Sequence, residues 1–265
     1  MRFYQVDAFT DTVFKGNPAA VCVSDSWLSD DIMLKLAIEN NLSETAFAVG
    51  RDGRYGLRWF TPGGEIDLCG HATLATAFTI MNHVEPGIAH VDFDTASGHL
   101  GVDREGDEYI LDFPLIRTSD YTPEDDIGDA IGCEPVCCAI GYRDPIAMLP
   151  ADRDVIDLHP DITKIMNLKD GLGLFVTAPG SGEYDFVSRA FWPKINVPED
   201  PVCGSMHCSL ADFWSKRLNK TKMLAYEASP RGGVVGVEIV GDRVRLSGKA
   251  VLFATFEVDD GILMR

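Results

Sequence analysis

The sequence predicts an α+β chain built twice: two pseudo-symmetric lobes, each a barrel-like mixed β-sheet wrapped around one central buried α-helix. Three observations predict it. Motifs of the first half recur in order in the second, much of the rest reads as short β-rich or alternating runs, and two helical stretches are almost free of charge.

The repeat carries most weight. Phe47-Ala-Val-Gly50 leads through Tyr55 to Arg58-Trp-Phe-Thr-Pro62 and then Cys69-Gly-His71. Later, Phe175-Val-Thr-Ala178 leads through Tyr184 to Arg189-Ala-Phe-Trp-Pro193 and then Cys203-Gly-Ser205. The run from Gly98 to Leu111 is echoed by the run from Gly233 to Leu246, and the offset grows from 128 to 135 residues, as small loop insertions produce. One match could be chance; three in one order indicate a duplication. The lobes are expected at 1–117 and 118–265, meeting near the polar stretch Arg117–Pro123, with a ligand site in the cleft between them.

Within the first copy, Arg2–Phe9, Ala19–Val23, Thr45–Val49, Tyr55–Phe60, Val91–Phe93 and Tyr109–Phe113 read as strands. Ser29 is placed to cap a helix running to Asn40, with Ile32, Met33, Leu36 and Ala37 on one face. The stretch Gly70 to Met81 contains no formally charged residue, and a helix apolar on every side is enclosed rather than laid on a surface. Its counterpart, Ser205 to Lys216, carries Met206, Leu210, Ala211, Phe213 and Trp214.

Composition narrows the function. With 46% apolar and 24% charged residues over 265, the chain can bury a substantial core. The net charge of −18 disfavours nucleic acid and anionic membrane as partners. It also means that an anionic substrate must be held by strong local donors. The start MRFYQVDAFT shows no secretory pattern, and no run is long and apolar enough to cross a bilayer, so a cytoplasmic protein is expected. The seven cysteines lack a disulfide-scaffold rhythm and are expected to be thiols.

The chemistry concentrates where the buried helices begin. Cys69-Gly70-His71 and Cys203-Gly204-Ser205 each place glycine at a helix N-terminus, where unpaired backbone N–H groups and the helix dipole attract an anion. Two such starts would hold a carboxylate or enolate-like group. Each is also compatible with a plain tight turn into a helix. Glu44, among apolar Ala46, Phe47 and Val49, suits a general acid/base, although a capping glutamate would look the same. Asp200 is either a helix-entry residue or a second proton carrier. His71 is either a proton shuttle or a hydrogen-bonded core histidine. Cys69 and Cys203 admit a rival reading in which two thiols serve as acid and base. No metal is expected, because Cys69-x-His71 and His207-Cys208 lack the usual ligand spacings, and no glycine-rich nucleotide loop is present.

The segments FYQVDAFTDTVFKGNPAAV, NLSETAFAV, FTPGGEIDLCGHATLATA and EDPVCGSMHCSLA together resemble the phenazine-biosynthesis PhzF-like family and span both halves in order. The resemblance implies the diaminopimelate epimerase-like fold, a homodimer, and a cofactor-independent isomerase. The family's best-known member moves a proton between ring carbons of trans-2,3-dihydro-3-hydroxyanthranilate. By motif, Glu44 would be the acid/base, assisted by His71 and Asp200. Asn17, Cys69, Gly70, Cys203, Gly204 and Ser205 would surround or bind the substrate. The related diaminopimelate epimerases and proline racemases use paired cysteines at these helix starts, so a two-cysteine racemase or epimerase is the alternative. A binding protein that kept the fold without chemistry is the third.

Overall fold

Alternating β-rich segments and one enclosed helix per copy assemble as two units in the computed structural model, which describes residues 1–259 and Gly261. One unit comprises Met1–Asp112 with Ser247–Arg265, the other Phe113–Leu246.

In the first unit the chain runs β1 (Arg2–Ala8), β2 (Asn17–Ser24), α1 (Asp30–Asn40), β3 (Glu44–Arg51), β4 (Arg54–Thr61), β5 (Gly64–Ile66), α2 (Gly70–Thr79), β6 (His90–Thr95), β7 (Gly98–Glu105) and β8 (Glu108–Pro114). Strands β1 and β2, β3 and β4, β6 and β7, and β7 and β8 pair antiparallel. The joints β2–β3 and β4–β6 are parallel, and parallel neighbours need a crossover. Helices α1 and α2 provide those two crossovers. Ser29 caps α1 as expected, its Oγ accepting from Ile32 N–H, while Met33, Leu36 and Ala37 are buried.

The second unit runs β9 (Ser119–Asp120), α3 (Ile127–Ile131), β10 (Cys137–Ile140), β11 (Pro145–Met148), α4 (Asp152–Ile156), α5 (Ile162–Asn167), β12 (Leu174–Pro179), β13 (Phe186–Trp192), β14 (Val197–Asp200), α6 (Gly204–Leu218), β15 (Lys222–Glu227), β16 (Gly233–Val240) and β17 (Arg243–Gly248). Its pairings follow the same sequence of directions. β10–β11, β12–β13 and β15–β16 are antiparallel, and β11–β12 and β13–β15 are parallel.

The repeated Arg-x-Phe reproduces one local device in both units. Arg58 donates Nε and Nη2 to the two oxygens of Glu65, both at 2.6 Å, with its guanidinium 5.2 Å from the Phe60 ring. Arg189 does the same to Glu199 at 2.6 and 2.9 Å, 5.1 Å from the Phe191 ring. Each bidentate pair ties the long strand to the short one that leads into the buried helix (β4 to β5, β13 to β14). The Gly98–Leu111 and Gly233–Leu246 echoes both turn at a glycine with left-handed backbone, Gly106 and Gly241 (φ 67° and 65°).

Helix α2 is enclosed: Ala72, Leu74, Ala75 and Ala77 are all fully buried. It packs on β1, β2 and β3. Its threonines remain satisfied because Thr73, Thr76 and Thr79 turn their hydroxyls back to the carbonyls of Cys69, Ala72 and Ala75. The expected helix to Met81 ends as an α-helix at Thr79 and continues as π-helical backbone over Ile80–Val84. In α6, Trp214 stacks on Phe186 at 5.6 Å and donates Nε1–H to Thr177 Oγ1 at 2.9 Å.

One boundary differs from the expected 118–265 lobe. The last strand, β18 (Ala250–Glu257), pairs antiparallel with β1 from Arg2↔Glu257 to Ala8↔Ala250, and so belongs with the first unit. It covers an edge of β1 that would otherwise expose unpaired backbone groups. No helix among the described residues is long and apolar enough to cross a membrane.

Candidate active site

In the first unit, four of the sequence-selected side chains converge. Asn17 opens β2 and Glu44 opens β3; because these strands run parallel, with Ala19 opposite Glu44, both residues lie at the same end of the sheet. Gly16 makes this possible: at φ 63°, a Cβ there would lie 2.1 Å from Ala8 O, so only glycine lets the chain fold back to Asn17. Helix α2 starts at that end with Cys69, Gly70 and His71.

His71 is the hub. Its Nε2 lies 2.9 Å from Glu44 Oε2, with side-chain exposures of only 6% and 14%. Its Nδ1 lies 3.1 Å from Asn17 Nδ2 and 3.6 Å from Cys69 Sγ. A neutral ring accepts at Nδ1 from the Asn17 amide. A protonated ring needs the amide rotated, so that Oδ1 accepts from Nδ1–H; the same contact therefore serves either state. Burial pulls the imidazolium down, but its contacts with Cys69 and Glu44 outweigh that and raise it well above the usual 6.5. The Cys69 thiol is itself pushed up, first by burial and then by Glu44, so at neutral pH it keeps its proton.

The second unit holds the other set. Asp200 ends β14, opposite Ala190 in the ladder, and Cys203, Gly204 and Ser205 form the start of α6. Ser205 is exposed, and its Oγ lies 3.3 Å from Cys203 Sγ. Burial, followed by the charges of Asp200 and Glu227, raises the Cys203 thiol well above 9. Neither cysteine side chain caps its helix.

Two residues outside the sequence selection complete this start. Glu227, fully buried at the end of β15, accepts Cys203 N–H at 2.7 Å. His207, pulled down to about 4 by burial, is neutral and donates Nδ1–H to Cys203 O at 2.8 Å. Together they hold the two peptide groups that flank the Cys203 Cα, one by its N–H and the other by its C=O. A glutamate closing a β-run was the only signal for Glu227, and His207 stood out only as half of a discarded metal spacing.

The family model described as phenazine biosynthesis-like protein (PhzC-PhzF) matches residues 6–255. An uncharacterized isomerase of Pseudomonas aeruginosa is 45% identical over 253 residues, covering 96% of each chain. The crystal structure of a PhzF-family phenazine biosynthesis protein from Enterococcus faecalis superposes with a TM-score of 0.94 at 45% identity, covering 97% of this chain and 98% of that one. A probable proline racemase of Agrobacterium radiobacter matches at 8% identity with a TM-score of 0.61, covering 98% and 93%, a likeness of fold alone. The expected α+β, diaminopimelate epimerase-like class is borne out.

Proposed function

The chain belongs to the phenazine biosynthesis-like (PhzC-PhzF) family, and on that premise we propose that it is an isomerase that moves a proton on a small carboxylate-bearing metabolite. One observation carries the reading: the buried contact of 2.9 Å between His71 Nε2 and Glu44 Oε2. A carboxylate in that position takes a proton from an activated carbon, and the electron pair left behind delocalises into the substrate's conjugated system. Glu44, now protonated, returns the proton to another carbon. His71 orients the carboxylate and steadies its charge between the two steps.

The other residues hold the substrate. The N–H groups of Gly70 and His71 at the start of α2 suit a substrate carboxylate; in the second unit, those of Gly204 and Ser205 with the Ser205 hydroxyl suit an anion in the same way. Asn17 fixes the His71 ring and Cys69 walls that side; in the second unit Asp200 serves proton handling and Cys203 walls its own helix start. The two-thiol alternative is weaker, because burial keeps both thiols protonated and so withholds the thiolate base it requires.

The test is a screen of small carboxylates for isomerisation, followed by kinetics of Glu44→Gln. The variant should lose about 10²- to 10⁴-fold in kcat. Turnover at the wild-type rate would refute Glu44 as the acid/base.

A further inference from the structure

The residues around His71 also form the donor set of a metal site. One ligand atom each from Glu44, Cys69 and His71 can be chosen so that all lie within 4.8 Å of one another. The sequence spacing hid this, because Cys69 and His71 supply two donors from the start of α2 and the third comes from β3. A thiol sulfur, an imidazole nitrogen and a carboxylate oxygen are the ligands of borderline-soft divalent cations, and three protein ligands with one open position make an exchangeable site. One further feature favours it. Glu44 Oε2 and His71 Nε2 are buried and 2.9 Å apart, yet form no aligned hydrogen bond that a shared cation would have to break.

We propose that Cys69, His71 and Glu44 form an inhibitory binding site for a thiophilic divalent cation, with Zn²⁺ as its reference ligand. On binding, the Cys69 S–H bond breaks and the ligating His71 nitrogen gives up any proton it carries; sulfur and nitrogen bond to the cation, the protons pass to solvent, and no electron is transferred. The cation occupies the Glu44 oxygen that would take the substrate proton. Inhibition thus rests on the isomerase reading, whereas binding does not.

The experiment is a titration of the purified chain with Co²⁺, followed by competition with Zn²⁺ and by calorimetry with Zn²⁺ alone. A saturable sulfur-to-cobalt charge-transfer band at one ion per chain, erased by Zn²⁺, is expected. It should be absent in Cys69→Ser and retained in Cys137→Ser and Cys138→Ser. Glu44→Gln, which keeps the sulfur, should bind Zn²⁺ more weakly by about tenfold or more. No saturable band, a band that survives Cys69→Ser, or one lost with Cys137 or Cys138 overturns the proposal, as does unchanged Zn²⁺ affinity in Glu44→Gln. Absent binding leaves the acid/base role of Glu44 intact, and normal turnover by Glu44→Gln in metal-free buffer refutes that role without touching the binding result.

Discussion

Asp212 sits fully buried on α6 and survives as an anion there because its carboxylate gathers donors from two directions. Thr118 gives its N–H at 2.8 Å and its hydroxyl at 2.7 Å, Arg117 donates at 3.0 Å, and Lys216 donates from one turn along the helix. Burial alone would raise the carboxyl; these partners, led by Lys216, more than reverse that and hold it at about 2, against 3.8 when unperturbed. At about 1.4 kcal/mol per pH unit, the difference is worth about 2 kcal/mol of stability. Because the folded value is depressed, that stabilisation is fully present above pH 3.8 and is lost as the pH falls towards 2. Asp212→Asn removes the charge and with it the pH dependence. Urea unfolding of both proteins at pH 6, 4 and 3 should show the variant less stable by about 2 kcal/mol at pH 6, with the gap narrowing at pH 3. A gap below about 0.5 kcal/mol at pH 6, or one that does not change with pH, would refute the reasoning.

Three further outcomes follow from the same geometry. Gly248→Ala places a Cβ 2.4 Å from a ring carbon of Phe9, so thermal melting should show a loss of about 1–3 kcal/mol; an unchanged Tm would mean that the ring moves freely. Cys69 and Cys203, buried and held protonated, should react with iodoacetamide at pH 8 more slowly than half-buried Cys137, as read by peptide mass mapping; equal rates would contradict their burial. Glu227→Ala, which frees the Cys203 N–H, should raise KM for the substrate while Glu227→Gln restores it; equal effects of the two variants would deny Glu227 its positioning role.

What the sequence revealed was local or repeated. The uncharged run after Cys69 marked an enclosed helix, and the doubled Arg-x-Phe marked two equivalent strands. Ser29 announced a helix start through its own side chain. Less visible were features made by distant chain segments. β18 returns to β1 across nearly the whole chain, and nothing in its composition names that partner. Glu227 reaches Cys203 from 24 residues away, and its role depends on β15 lying parallel to β13. The motif gave Glu44 and His71 their roles, but their contact and their arrangement with Cys69 needed the parallel β2–β3 joint to bring β3 to the start of α2.

The most direct test of a single-carboxylate shuttle is the fate of the migrating hydrogen. Substrate deuterated at the donor carbon is turned over in ordinary water, and label at the acceptor carbon of the product is measured by NMR. If Glu44 both takes and returns the proton, part of the deuterium reappears at the new position, and that transfer collapses in Glu44→Gln while persisting in Cys69→Ser. Complete washout of label into solvent, together with loss of turnover in Cys69→Ser or Cys203→Ser but not in Glu44→Gln, would contradict it and point to the two thiols instead.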